Sequence, residues 1–170
     1  MHTLFLYLCV MVAAFTGHRS YGGEENNRLQ AVVEQLISEG VDTFLCGMAE
    51  GFDIAAAEVV IALKRRFKSI KLVCIIPYKG HREAMPSSGW MVRYQSTLAA
   101  ADSVITLAEE YSYKAYRIRN DYLVENADII VSYYTGRSRS GTGYTVTKAL
   151  KNRKRTINIY ADGEQIRFFG

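Results

Sequence analysis

The sequence predicts a doubly wound α/β domain, a mostly parallel sheet with helices on both faces. Short runs rich in β-branched residues and apolar on both faces recur along the 170 residues, as strands buried in a covered parallel sheet require. Segments with apolar residues at helical spacing separate them. Glycine-bearing polar loops follow the strands, at the sheet edge where such folds bind their ligands.

The first strand is expected at 9–15, ending in the loop Thr16-Gly17-His18-Arg19-Ser20. A helix over 25–39 follows: Leu29, Val32, Val33, Leu36 and Ile37 fall on one face, and Gly40 supplies the stop. The second strand is "DTFLC" (42–46), and the helix over 53–67 takes Asp53 as its N-cap. The third strand, 70–76, runs into a long loop (76–90) with two prolines, two glycines and a tryptophan, expected to serve as a lid or wall. Trp90 and Tyr94 stand four apart on the next helix, 88–100, and read more readily as core than as a stacking surface for a base. The remaining elements are strands at 102–107, 128–134 and 155–160 and helices at 115–126 and 142–152. The basic run "KNRKR" (151–155) reads as the solvated cationic end of the last helix.

Composition bounds the function. With 49% apolar and 22% charged residues, the chain reads as one globular domain over 1–170, residues 1–10 forming an extension if Met11 is the natural start. The net charge of +4 is concentrated in the second half: residues 1–85 hold 9 Lys/Arg and 9 Asp/Glu, residues 86–170 hold 12 and 8. That bias suits a phosphate-bearing ligand and is too mild to demand nucleic acid. Cys9, Cys46 and Cys74 are odd in number and lack C-x-x-C spacing, which argues against a disulfide framework or a zinc site. Buried reduced thiols fit a cytoplasmic protein. The apolar run 4–15 is too short to span a membrane and lacks the basic flank of a signal peptide.

The loops carry the functional signal. In "TGHRS", glycine permits close backbone approach and Arg19 offers a forked cation, while His18 is either a ligand contact or a brace. "CGMAEGFD" (46–53) is G-x-x-x-G and not a dinucleotide fingerprint, so a conventional NAD site is not expected, and there is no Walker A sequence. Asp53 is either a cap or an acceptor for a ribose hydroxyl. Arg119 and Asn120 sit near a helix start, where they either reach the same edge or form a solvated polar face. Ser140, Gly141, Thr142 and Gly143 are placed to make a second anion-binding turn, with Arg137 and Arg139 beside it.

On these residues the chain resembles the YpsA/YoqJ-like branch of the SLOG superfamily, relatives of DprA and of the LOG (lysine-decarboxylase-like) proteins. "FTGHR", "GMAEGFDIAAAEVV" (47–60), "KLVCIIPY", "RND", "ADIIVSYY" and "SGTGYT" carry the resemblance, which runs from about Met11 to near the end. It implies a Rossmann-like domain with a pocket for a nucleotide or nucleotide-derived ligand. Thr16, Gly17, His18 and Arg19 would form one wall and Gly47, Met48, Gly51 and Asp53 another. Arg119, Asn120, Gly141 and Thr142 would close the phosphate side.

One departure matters. LOG-type phosphoribohydrolases carry P-G-G-x-G-T-x-x-E, and the alignment of "SGTGYT" puts Thr145 where that catalytic glutamate would fall. Asp53, Glu50 or Glu58 would have to replace it. The leading expectation is therefore binding or sensing of an ADP-ribose-like or nucleoside phosphate ligand, with no required cofactor, no metal and no turnover. N-glycosidic cleavage or transfer on the same pocket, with Asp53 as its weak catalytic candidate, is one alternative. A DprA-like single-stranded nucleic-acid module is the other. A homo-oligomer is compatible with all three.

Overall fold

The structure, a computed structural model, describes residues 10–160. The expected N-terminal extension, apart from Val10, and the Cys9 thiol lie outside the described residues. Six parallel strands form one sheet in the order β4-β3-β2-β1-β5-β6. They are β1 (Met11–Gly17), β2 (Val41–Cys46), β3 (Lys71–Ile76), β4 (Ser103–Thr106), β5 (Ile129–Tyr133) and β6 (Arg155–Asn158). The helices are α1 (Asn26–Ser38), α2 (Phe52–Leu63), α3 (Ser88–Ala100), α4 (Ala115–Glu125) and α5 (Gly141–Lys151). This is the Rossmann-like architecture expected, with most element ends within two residues of expectation.

Chain order explains the layers. Three successive crossovers step outward from β1 to β4 and place α1, α2 and α3 on one face; α4 carries the chain back across the sheet, and α5 lies beside it on the other. Strand side chains alternate accordingly. Ala13 and Phe15 belong to the core under α1–α3, whereas Ala14 joins Leu45, Ile75 and Ile130 under α4 and α5. Phe15 stacks on Phe44 at 5.8 Å and meets Phe52 edge-on at 6.4 Å, so the middle of the larger core is aromatic. Helix α2 is buried along most of its length because Ala55, Ala56 and Ala57 let it lie close to the sheet.

Strand order reverses between β1 and β5, which pair directly. Asp128 sets their register: its carboxylate accepts from the Val12 N–H at 2.9 Å, and its own N–H donates to the Val12 carbonyl at 2.8 Å. The carboxyl ends of β1 and β5 are therefore held side by side, leaving a crevice between their loops.

Several local expectations differ from the structure. Asp53 lies inside the first turn of α2 and is not its cap; Gly51 occupies the cap position. Tyr94 is core and Trp90 packs half-buried against it, as read; Trp90 also lies under the Arg93 guanidinium at 4.2 Å, and Arg93 is clamped by Glu58. The loop after β3 is no lid over the crevice. Its short 3-10 turn (His81–Ala84) buries His81 against Tyr78 and Tyr94, because an imidazole among tyrosines finds both ring contacts and a hydroxyl partner at 3.3 Å. Cys46 and Cys74, free and buried, sit side by side on β2 and β3. Burial pushes both thiols up, Cys74 to about 12, so neither is a nucleophile at neutral pH.

Candidate functional site

A cavity of about 610 Å³ opens at the carboxyl ends of β1 and β5. The β1 loop supplies Thr16, Gly17, His18 and Arg19; α4 supplies Arg119 and Asn120; the start of α5 supplies Gly141 and Thr142; Asp53 lies in the same lining. Gly47, Met48 and Gly51 do not line it. They shape the walls behind it. Met48 is fully buried, its sulfur 3.7 Å from the Cys46 thiol, and has a positive φ of 62°. Gly51, at φ 80°, lets the loop after β2 pass against the β1 loop: a Cβ there would lie 2.7 Å from the His18 carbonyl oxygen and closer still to that of Arg19. Gly47 offers its carbonyl to Arg119.

His18 is a brace between the walls. The backbone N–H of Thr135, after β5, donates to His18 Nε2 at 3.2 Å, and the Thr135 hydroxyl lies 3.1 Å away. An accepting Nε2 puts the ring proton on Nδ1. Burial, helped by the Arg137 charge, lowers the His18 pKa and keeps the ring in that neutral form.

Below the mouth lies a buried polar chain. Arg119, 6% exposed, donates through Nη1 to the Gly47 carbonyl and through Nε to Asn120 Oδ1 at 3.0 Å. Its Nη2 has no hydrogen-bond partner among the described residues. Asn120 in turn donates to the Gly141 carbonyl at 3.4 Å, which ties α4 to the start of α5. Asp53, 4% exposed, accepts from the Ala49 N–H at 3.3 Å and is the one carboxylate in the lining. Burial raises its pKa to about 6, against the pull of Arg119.

The far wall gathers backbone donors and cations. Ser140 caps α5, accepting from the Gly143 N–H at 2.9 Å and donating to the Arg137 carbonyl at 2.7 Å. The Gly141 and Thr142 N–H groups, in the unsatisfied first turn, find no acceptor among the described residues. Arg137 and Arg139 stand exposed beside them, and no ion pair involves either among the described residues. Thr145 faces away from this wall, its hydroxyl donating to the Gly141 carbonyl one turn back at 2.9 Å. A threonine at this position satisfies its own helix and brings no carboxylate to the cavity.

Ser20, Ala49, Tyr116 and Thr135 also line the cavity without having been singled out in the sequence. For Tyr116 a signal existed: it precedes Arg119 by three residues and so shares its helical face. Ser20, Ala49 and Thr135 lie in loops whose approach depends on the packed fold. Among the described residues, no group of three or more His, Cys, Asp or Glu side chains is placed to hold a metal ion.

The fold and site place the chain among known proteins. The model of the YspA SLOG family (YpsA) matches residues 26–162, and the chain belongs to that family. It is 31% identical over 138 residues to the uncharacterized SPbeta prophage-derived protein YoqJ of Bacillus subtilis, covering 74% of this chain and 80% of that protein. It is also 31% identical over 121 residues to UPF0398 protein BH1768 of Halalkalibacterium halodurans, covering 70% of this chain but only 64% of that relative. Among solved structures it resembles DNA processing protein A of Helicobacter pylori, a single-stranded DNA binder (TM-score 0.63, 17% identity, 86% of this chain and 63% of that one). It also resembles the molybdenum cofactor carrier protein of Chlamydomonas reinhardtii (TM-score 0.54, 15% identity, 86% and 74%). At these identities the likeness is one of fold. No helix among the described residues is long and apolar enough to cross a membrane.

Proposed function

We propose that the protein binds a nucleotide or nucleotide-derived ligand, of nucleoside phosphate or ADP-ribose type, at the carboxyl-end crevice between β1 and β5, and that it senses or carries this ligand without turning it over. The observation that supports this reading most is the pairing of an unsatisfied helix start with a buried, half-employed arginine. Among the described residues, the Gly141 and Thr142 amides and the Arg137 and Arg139 side chains have no protein acceptor at one wall, and Arg119 Nη2 has none below it. Amides at a helix start and guanidinium groups are the usual partners of phosphate oxygens. Asp53 offers an acceptor for a ribose hydroxyl. A small soluble ligand is the partner this implies, and no resident cofactor is needed to complete the site.

Titration calorimetry with a panel of nucleoside monophosphates, diphosphates and ADP-ribose tests the reading. Saturable binding is expected for at least one member, weakened tenfold or more when Arg137 and Arg139 are both changed to Gln. The melting temperature should hold, because substitutions at exposed, unpaired side chains have little effect on stability. A panel without binding overturns the reading.

A second reading, N-glycosidic cleavage or transfer, rests on Asp53 alone: a buried carboxyl with a raised pKa in a cleft is a candidate acid or base. Free base released from a panel member and lost in Asp53→Asn would establish it in place of simple binding.

A further inference from the structure

We infer that Tyr116 is the subsite for a planar heteroaromatic base, which makes the ligand a nucleoside 5′-phosphate class compound bound with its phosphate at α5 and its base at the start of α4. The inference rests on the nucleotide reading above and adds the ligand's polarity and the residue that selects it.

The order of contacts along the cavity carries the argument. The Tyr116 ring lies 5.7 Å from the Arg119 guanidinium. Arg119 bonds Asn120, and Asn120 bonds Gly141 at the start of α5. The cavity therefore runs from an aromatic end through a buried polar middle to a cationic, amide-lined end. A base, a hydroxyl-bearing sugar and a phosphate present the same three chemistries in the same order.

Tyr116 is held rigidly enough to serve. Its ring packs edge-on against Tyr78 at 6.1 Å and against His81 at 5.7 Å, and its hydroxyl lies 3.3 Å from that of Tyr78. Tyr111, 61% exposed, buttresses both tyrosines from outside, at 5.3 and 6.4 Å. These ring contacts are steeply inclined, at 77°, 64° and 60°, and the Arg19 guanidinium lies over the Tyr116 ring, 5.5 Å from its centroid. Glu50 steadies Arg19 from the side at 3.2 Å, while the Arg19 side chain remains 58% exposed. A base stacked between the two planes needs about 7 Å, two layers of about 3.5 Å each. A small outward swing of the exposed Arg19 opens that space and leaves the base between a tyrosine and a guanidinium, both good stacking partners.

Calorimetry on the full chain with AMP, GMP, CMP, UMP and ribose 5-phosphate tests the inference. At least one of the four nucleotides should bind about ten- to a hundredfold more tightly than ribose 5-phosphate, the range that stacking on one aromatic side chain supplies. Tyr116→Ala should reduce that nucleotide to the level of ribose 5-phosphate and leave ribose 5-phosphate unchanged, which also shows the variant folded. Tyr116→Phe, which keeps the ring and loses one hydroxyl contact, should stay within about threefold of the parent. Equal affinity for ribose 5-phosphate and every nucleotide overturns the base subsite while leaving phosphate recognition standing. So does a Tyr116→Ala variant that weakens both classes alike or neither, or a Tyr116→Phe variant as impaired as Tyr116→Ala. Absence of binding by all five probes overturns the base subsite as inferred here, and if the diphosphates and ADP-ribose are silent as well the nucleotide reading falls with it.

Discussion

Asp53 shows how a single side chain can be costly to the fold and useful to the site. A carboxylate taken out of water is disfavoured, and here burial outweighs the attraction of Arg119, leaving a pKa of about 6. The sign follows from linkage. The folded state holds a proton that the unfolded chain releases near pH 4, so this residue's contribution is present below pH 4 and lost as pH rises through about 6. His81 works in the opposite direction over the same window, since burial lowers its pKa to about 4, and His18 shifts in the same sense as His81. The net pH profile of the parent protein therefore mixes both signs, and the informative quantity is a difference. Asp53→Asn should melt close to the parent at pH 4 and several degrees above it at pH 7.5, measured by differential scanning calorimetry. Equal shifts at both pH values would mean that Asp53 is fully solvated or fully compensated.

At the scale of elements, the start of α5 is the piece on which binding and stability meet. Ser140 satisfies the Gly143 N–H and ties down the Arg137 carbonyl, so it closes the arginine-bearing loop onto the helix it caps. Gly143 makes that closure sterically feasible, because a Cβ there would lie 2.9 Å from the Ser138 carbonyl oxygen. Ser140→Ala removes one cap and one loop tether. A loss of about 1 kcal/mol in urea unfolding is expected from the cap, accompanied, under the proposed function, by weaker binding of the ligand. Full retention of affinity would separate the loop's order from its role in recognition. The loop after β5 is secured a second time from β6: the Tyr134 N–H donates to Asn158 Oδ1 at 3.0 Å, and Asn158 Nδ2 donates to the Tyr134 carbonyl at 2.8 Å.

Across the whole molecule, stability is graded from the centre of the sheet to one edge. Strands β1 and β5 lie inside the sheet with their central residues buried, and they carry the crevice. Strand β4 is an edge strand in which all four residues are exposed, including Val104 and Ile105. Local opening follows burial, so hydrogen exchange should be slowest for the β1 and β5 amides and fastest, among the strands, for β4. Uniform protection across the six strands would contradict this gradient. A stable centre with a loose edge suits a binding protein whose site sits on the central loops.

Periodicity and loop chemistry made much of this legible in advance. The strand–helix alternation announced the parallel sheet because burial on both faces demands runs such as Leu72–Ile76, and strands so buried have few alternatives. The same reasoning located the loop of His18 and the starts of the helices that carry Arg119 and Thr142, since parallel connectivity puts every βα connection at one edge. Tertiary structure alone decided which side chains within those loops face the cavity. Met48 turned into the core beside Cys46 because its backbone adopts a positive φ that no spacing rule reveals. His18 became a brace because β5 happens to pair with β1 and brings Thr135 within reach. Tyr116 gained its place from Tyr78, which lies 38 residues earlier and is brought beside it only by the pairing of β3 with β4. Sequence determines the elements through short-range periodicity, whereas the geometry of a site depends on contacts between loops distant in the chain, and those exist only once the sheet has formed.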